Sequence, residues 1–141
     1  MRIVLVPFDG SQASLRALAL ALKWMPNAPE ARLHLLNVQS PPLHPWPGRL
    51  VSPDEITAEL RRQGTEVLGP ARDRTQGCSV KTELHVRIGA PAEEIVQCAQ
   101  EAGCDAIMMG TRGLGAAAAL ALGSVAGKVA HLSRVPVVLV K

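Results

Sequence analysis

The residues with the clearest potential for chemistry lie in one glycine-rich stretch near the end of the chain. Gly110 and Gly113 are followed, after nine intervening residues, by Gly123 and Ser124. Glycine lets a ligand come close to the backbone because it has no Cβ, and successive free amides can form a nest that binds anions. Ser124 also stands where a helix is predicted to begin, with unpartnered amides and a positive dipole end. The pattern therefore indicates a polyphosphate site that needs no lysine.

Two common nucleotide motifs fit this stretch poorly. The segment 123–129 (GSVAGKV) is one residue short of a P-loop and lies within a predicted helix, and 113–118 (GLGAAA) has Ala118 where a dinucleotide motif needs its third glycine. A purely structural interpretation is also open: Gly110 could turn the chain, Gly123 could precede a helix and Ser124 could cap it. Taken together, at this spacing, the residues favour a binding function.

Strands and helices are predicted to alternate along the whole chain. Apolar runs predict strands, and apolar residues at helical spacing predict helices. Ser52, Pro53 and Glu55 have the spacing of a capping box with proline in the first turn. The predicted strands are 2–7, 32–38, 79–88, 105–110 and 136–140, and the predicted helices are 11–25, 52 to at least 68, 91–102 and 124–133.

Two helix boundaries depend on weaker signals. Asp9 and Gln12 have the spacing of a capping box at the start of the first helix. Gly69 and Pro70 are expected to kink or end the second helix, because proline lacks an amide proton and its ring collides with the preceding turn.

The alternation predicts a single α/β domain with a five-stranded, doubly wound parallel sheet and helices on both faces. Ligands of such sheets bind outside the carboxyl ends of the strands, where the strand order reverses. Asp9 follows the first strand, Val38 ends the second and Gly110 ends the fourth. The glycine pattern is thus expected to lie at the binding end of the sheet.

Composition argues against several other classes of function. Aromatic residues make up 2%, the net charge is +3 and no run of basic residues exceeds two, so no nucleic-acid partner is expected. No apolar run reaches the roughly 18 residues of a membrane span, and the expected location is the cytoplasm. The three cysteines form no CxxC pair. The four histidines lack metal-ligand spacing, so no metal site is predicted and each is expected to make a local hydrogen bond.

With these motifs in view, the sequence resembles the universal stress protein family, in particular its nucleotide-binding branch. Gly110, Gly113, Gly123 and Ser124 match the G-x2-G-x9-G-[S/T] pattern of that branch. The likeness extends to VPFDGS at 6–11, LHLLNV at 33–38, GAPAEEIVQCA at 89–99, and most of the remainder after 105. It covers nearly the whole chain, residues 1–141, and is weakest from 39 to 76.

The resemblance implies a flavodoxin-like, adenine-nucleotide α-hydrolase-like fold with strand order 3-2-1-4-5 that binds ATP, with Mg²⁺. It places Asp9 at the nucleoside, Val38 against the adenine, and Met109 beside the nucleoside. Phe8 occupies a position that is often small or hydroxylated in the family, so its ring is expected to crowd or stack near the base. The full set of binding residues expected from the pattern and the resemblance is Pro7, Phe8, Asp9, Val38, Met109, Gly110, Arg112, Gly113, Gly123, Ser124 and Val125.

The resemblance also implies a homodimer that pairs through the final strand, from Pro136 to Val140, and a regulatory role in the stress response. Two alternatives remain open, a nucleotide-independent stress scaffold and a slow ATP hydrolase. No dedicated catalytic set is evident, because Asp9 is expected at the nucleoside and His131 lies about two helical turns beyond Ser124.

Overall fold

Five strands and four helices alternate in the computed structural model, which describes residues 1–43, 48, 50–112 and 122–141. The strands are β1 (Ile3–Pro7), β2 (Arg32–Gln39), β3 (Lys81–Ile88), β4 (Ala106–Gly110) and β5 (Val137–Val140). The helices are α1 (Gln12–Trp24), α2 (Pro53–Thr75), α3 (Pro91–Glu101) and α4 (Ser124–Leu132). The predicted elements are all present, with ends within a few residues of the expected ones except at the end of α2.

The strands form one parallel sheet in the order β3-β2-β1-β4-β5, which confirms the predicted fold class. The chain moves outward from β1 to β2 and β3, and then returns to place β4 on the other side of β1. The strand order therefore reverses between β1 and β4, and a crevice opens there at the carboxyl ends of these strands.

Each face of the sheet carries two helices over its own apolar cluster. Side chains alternate between the faces along a strand, so Val4 and Val6 join one cluster and Leu5 joins the other. The first cluster includes Leu18 of α1, while the second includes Ile95 of α3. Burial on both faces explains why β1 reads as a continuous apolar run.

The start of α1 differs from the prediction. Ser11, and not Asp9, is the N-cap, and its hydroxyl accepts a hydrogen bond from the amide of Ser14 at 3.1 Å. Asp9 instead accepts from the amide of Ser11 at 3.0 Å. The predicted pairing of Asp9 with Gln12 is therefore wrong, because the turn through Gly10 (φ +84°) moves the cap two residues along the chain.

The start of α2 confirms the predicted capping box, with reciprocal bonds between Ser52 and Glu55. The helix continues to Thr75, however, so Gly69-Pro70 does not end it. Pro70 lies on the exposed side of the helix, whereas Leu68 and Ala71 are buried. The carbonyl that loses its partner at the proline thus faces the solvent side, where water can satisfy it.

Among the described residues, no helix combines the length and apolarity needed to cross a membrane.

Candidate functional site

A cavity of about 580 Å³ opens at the carboxyl ends of β1, β2 and β4 and reaches the start of α4. Every predicted binding residue lines it except Gly113, which lies outside the described residues. The predicted residues that line the cavity are Pro7, Phe8, Asp9, Val38, Met109, Gly110, Arg112, Gly123, Ser124 and Val125. The cavity is within the 300–1,000 Å³ range typical of sites for small organic ligands.

One side of the cavity is apolar. Leu36 and Val38 come from β2, Met109 comes from β4, and Pro91 and Ile95 come from the first turns of α3. Leu36 and Met109 are nearly inaccessible to solvent, so these walls are held by the core. Leu36, Pro91 and Ile95 were not predicted as site residues, because in the sequence they have only the pattern of core and helix-start positions. Together these walls suit a flat, apolar group.

Another part of the cavity wall is the N-terminus of α4. Gly123 is the N-cap and donates its amide to the carbonyl of Thr111 at 2.8 Å. The next three amides, of Ser124, Val125 and Ala126, have no intrahelical acceptor, and no described side chain caps them. Ser124 is the first residue of the helix and is exposed, so its hydroxyl is not the cap. These amides and this hydroxyl can donate hydrogen bonds to an anion.

Gly110 lacks a side chain because of its packing against α1. A Cβ on Gly110 would lie 2.6 Å from the Cβ of Ala13 and 2.8 Å from the carbonyl carbon of Ala13. It would also lie 3.1 Å from the amide nitrogen of Ser14. The expectation that the bare face of Gly110 is turned to a phosphate is therefore wrong, since α1 occupies that space.

Gly123 has a similar packing constraint. A Cβ there would lie 2.9 Å from the carbonyl oxygen of Thr111 and 3.5 Å from the Cα of Arg112. The absence of a side chain lets the start of α4 sit directly on the residues that follow β4. Both glycines thus allow close packing of the elements that form the cavity walls. The expectation that the Cβ side of each glycine faces the ligand does not hold.

Asp9 is half-buried at the turn between β1 and α1. Its Oδ1 accepts from the amide of Ser11, whereas Oδ2 makes no hydrogen bond within the described part of the chain. The hydroxyl groups of Ser11 and Ser14 lie 3.3 Å apart, and Ser14 donates to the carbonyl of Ser11 at 2.9 Å. Asp9, Ser11 and Ser14 all line the cavity and give this part of its wall polar character.

Asn37 is a buried polar residue of the cavity wall that was not predicted from the sequence. Its Nδ2 donates to the carbonyl of Phe8 at 2.8 Å, and its Oδ1 accepts from Gln39 at 2.7 Å. Asn37 could have been found in the sequence because an asparagine side chain interrupts the apolar run of β2. By bridging the chain just beyond β1 to the end of β2, Asn37 fixes the position of the cavity wall.

The ring of Phe8 packs into the core. Phe8 is 2% exposed and belongs to the cluster beneath α1 and α2, together with Val6 and Leu35. The expectation that its ring crowds or stacks near a base is therefore not met, because burial draws the ring into the face of the sheet that α1 and α2 cover.

The charges around the cavity are few. Among the lining residues that the structure describes, Asp9 and Arg112 are the only ionisable ones. Lys128, which the rejected P-loop alignment would have assigned to phosphate, lies within α4 and forms an ion pair with Glu93. The arrangement offers hydrogen-bond donors and apolar walls, which suit binding.

Comparison with known proteins gives a consistent result for the whole chain. The model of the universal stress protein family matches residues 1–141. The universal stress protein YxiE of Bacillus subtilis is 32% identical over 145 residues, covering 98% of this chain and 97% of its own.

Solved structures share the fold as well. The structure of the protein MJ0577 superposes with a TM-score of 0.79 at 27% identity, covering 99% of this chain and 95% of its own. A universal stress protein solved in complex with cAMP superposes with a TM-score of 0.70 at 28% identity, again covering 99% and 95%.

Proposed function

The chain belongs to the universal stress protein family, and on that premise we propose that it binds ATP, with Mg²⁺, in the cavity between β1, β2, β4 and α4. We further propose that it acts in the cytoplasm as a regulatory homodimer whose nucleotide occupancy changes the surface it offers to partners. The observation that supports the proposal most is that one cavity is lined both by apolar side chains and by a helix N-terminus without a side-chain cap.

The two sides of the cavity fit the two ends of a nucleotide. Val38 and Met109 offer apolar surface to an adenine ring, and Asp9 offers a carboxylate oxygen to the ribose hydroxyls. The amides of Ser124, Val125 and Ala126 offer donors and a positive dipole end to the phosphates. Mg²⁺ is usually held through substrate phosphates and water and needs few protein ligands, so the scarcity of acidic residues here is compatible with it.

The relative in complex with cAMP supports an adenine nucleotide as the ligand class. The choice of ATP over a smaller nucleotide is supported by the match of Gly110, Gly113, Gly123 and Ser124 to the G-x2-G-x9-G-[S/T] pattern of the nucleotide-binding branch, a resemblance that implies ATP. ADP, AMP and cAMP are the informative competitors, because they share the adenine end and differ at the phosphates.

The homodimer proposal is supported by β5, which forms one edge of the sheet. Its four residues are apolar, and Leu139 is 37% exposed. An exposed apolar edge strand is a liability unless it pairs or is covered. Light scattering should therefore give the mass of two chains, and Leu139→Glu should shift it to one. Leu84→Glu on the opposite edge strand, β3, is the matched control and should leave the dimer intact.

The nucleotide proposal is tested by calorimetric titration of Mg-ATP into wild type, Ser124→Asp and Ser79→Asp. An acidic residue in the first turn of α4 stabilises the helix but repels phosphate, so the fold is retained while binding weakens. Two like charges about 4 Å apart repel by roughly 1 kcal/mol in bulk water and roughly 4 kcal/mol near a protein surface, which predicts binding weaker by about fivefold or more.

Ser79→Asp adds the same charge just before β3, at the amino end of the sheet, and should leave the affinity unchanged. If Ser124→Asp binds Mg-ATP as tightly as wild type, the phosphates do not lie at α4. If wild type binds none of ATP, ADP, AMP or cAMP, the nucleotide-independent scaffold is the correct reading. Phosphate release above a protein-free control would identify the slow hydrolase.

A further inference from the structure

Two histidines and a glutamate meet at the β3 edge of the sheet, outside the cavity. His34 lies on β2 opposite Glu83 on β3, and His85 lies two residues beyond Glu83. Paired residues of neighbouring strands share a face, and so do residues two apart on one strand. All three side chains therefore point to the face that carries α3. The same face holds Arg87, whose guanidinium contacts Glu94 of α3 at 3.5 Å.

The three groups are close enough to share one ion. Nδ1 of His34 lies 2.9 Å from Nε2 of His85 and 3.8 Å from a carboxylate oxygen of Glu83. One ligand atom from each residue falls within 4.8 Å of the other two. Zinc bonds of about 2.0–2.1 Å in a tetrahedral site place ligand atoms about 3.3–3.4 Å apart. To reach that spacing, the His34–His85 contact must open and the His34–Glu83 contact must close by about half an ångström each. The ligand atoms of His85 and Glu83, which lie within 4.8 Å of each other, must reach the same spacing.

The chemical state of the imidazoles suits metal binding. Burial lowers the pKa of His34, with a further contribution from His85, and burial also lowers the pKa of His85. Both rings are therefore neutral at pH 7, which is the form that binds metals. In that state one of the two contacting nitrogens carries a proton. For both nitrogens to bind an ion, that proton must move to the other nitrogen of the same ring, which leaves the ring neutral.

We propose that His34, His85 and Glu83 form a three-ligand site for a zinc-type divalent ion that joins β3 to β2. Two imidazoles and one carboxylate, with a water in the remaining position, form a recurring zinc ligand set. His34 is 6% exposed, whereas the Glu83 side chain is 42% exposed, so an ion can enter from the Glu83 side. Scanning the sequence for HxH or i,i+4 pairs missed the cluster, because its histidines are 51 residues apart.

Nearby charges act in both directions. The carboxylate of Glu83 favours a cation, while Arg32 and Arg87 oppose positive charge on the rings. Lys81 lies 3.9 Å from Glu83 and competes for it as an exposed ion pair. Exposed pairs of this kind are worth about 1 kcal/mol or less, so the lysine can be displaced.

The test is calorimetric titration of Zn²⁺ into chelator-treated, full-length protein without nucleotide. All variants carry Cys78→Ser, since Cys78 is an exposed thiol that can bind zinc by itself. We expect saturation at one zinc per chain, and at least about tenfold weaker binding for His85→Gln. His131→Gln replaces an exposed histidine of α4 and should bind as the parent does.

A second readout does not depend on any variant's folding. In proton–nitrogen correlation spectra of the imidazole rings, Zn²⁺ should shift the nitrogens of His34 and His85 and leave those of His131 unchanged. The proposal is overturned if zinc fails to bind at one per chain, if His85→Gln retains parental affinity, or if the ring signals of His34 and His85 do not move. Should His85→Gln fail to fold, Glu83→Gln at the exposed side of the cluster supplies the same comparison.

Discussion

Replacing Gly110 with alanine tests whether this glycine serves the scaffold or faces the ligand directly. The new Cβ would lie 2.6 Å from the Cβ of Ala13 and 2.8 Å from its carbonyl carbon. The contacted atoms belong to the start of α1 and include backbone, so no flexible side chain can swing away. Either α1 moves outward or β4 shifts, and both movements loosen the contact between α1 and β4.

The magnitude follows from the cost of overpacking a dense interior, which is about 1–3 kcal/mol for an added methyl group without space. For a domain of this length, 1 kcal/mol corresponds to a change in melting temperature of about 3–4 °C. Gly110→Ala should therefore melt about 3–12 °C below wild type. The loss should appear without any nucleotide present, because the strain lies within the protein itself.

Gly127→Ala is the matched control for the melting experiment. Gly127 lies within α4, and among the residues that the structure describes a Cβ there would meet only the tip of the Leu122 side chain, at an ordinary 3.6 Å. Alanine is favoured over glycine in a helix by about 0.5–1 kcal/mol, so this variant should melt a few degrees above wild type. If Gly110→Ala melted at the wild-type temperature but failed to bind Mg-ATP, the bare face of Gly110 would meet the ligand and the packing argument would be refuted.

Three further predictions concern Asn37, Asp105 and the three cysteines. Asn37→Ala should lower the free energy of unfolding by about 1–3 kcal/mol in urea titration, because a buried carbonyl loses its donor. Asp105 accepts two backbone amide bonds that hold its pKa below the ordinary value of 3.8, so its stabilisation is present above pH 3.8 and lost as the pH falls through the lower folded-state pKa. Asp105→Asn should therefore melt below wild type at pH 7, and a gap that persists unchanged at the lowest pH would contradict this. Iodoacetamide at neutral pH should modify Cys78 alone, since burial raises the pKa of Cys98 and raises that of Cys104 to about 12. Peptide mass spectrometry identifies the modified cysteines. Rapid modification of Cys98 or Cys104 in the folded protein would contradict the prediction.

The parallel sheet and the place of the cavity could be predicted from the sequence because both depend on periodicity and alternation, whereas the strand order was implied by the resemblance to the family. A parallel sheet whose strands alternate with helices has its crevice at the strand ends, and Asp9, Val38 and Gly110 are located there by their order in the chain alone. The capping box at Ser52 was predictable for a similar reason, since its partners are three residues apart.

What the sequence could not show depends on contacts between distant residues. A glycine at position 110 is compatible with a structure in which its Cβ position faces a phosphate and with one in which it faces Ala13. Only the packing of α1 on β4 shows that Ala13 occupies this position. Phe8 follows β1 near the cavity, but its ring packs into the apolar cluster on the face of the sheet that α1 and α2 cover. His34 and His85 form a pair only through the register of β2 and β3.

The most direct test of the central claim is an amide proton–nitrogen NMR titration of the wild-type protein with Mg-ATP. If the phosphates bind at the start of α4, the amide signals of Ser124, Val125 and Ala126 should shift strongly downfield and saturate with the calorimetric affinity. AMP should move these signals less while still moving those of Val38 and Met109. If the three amides of α4 remain unmoved while Mg-ATP binds elsewhere or not at all, the nucleotide does not occupy this cavity as proposed.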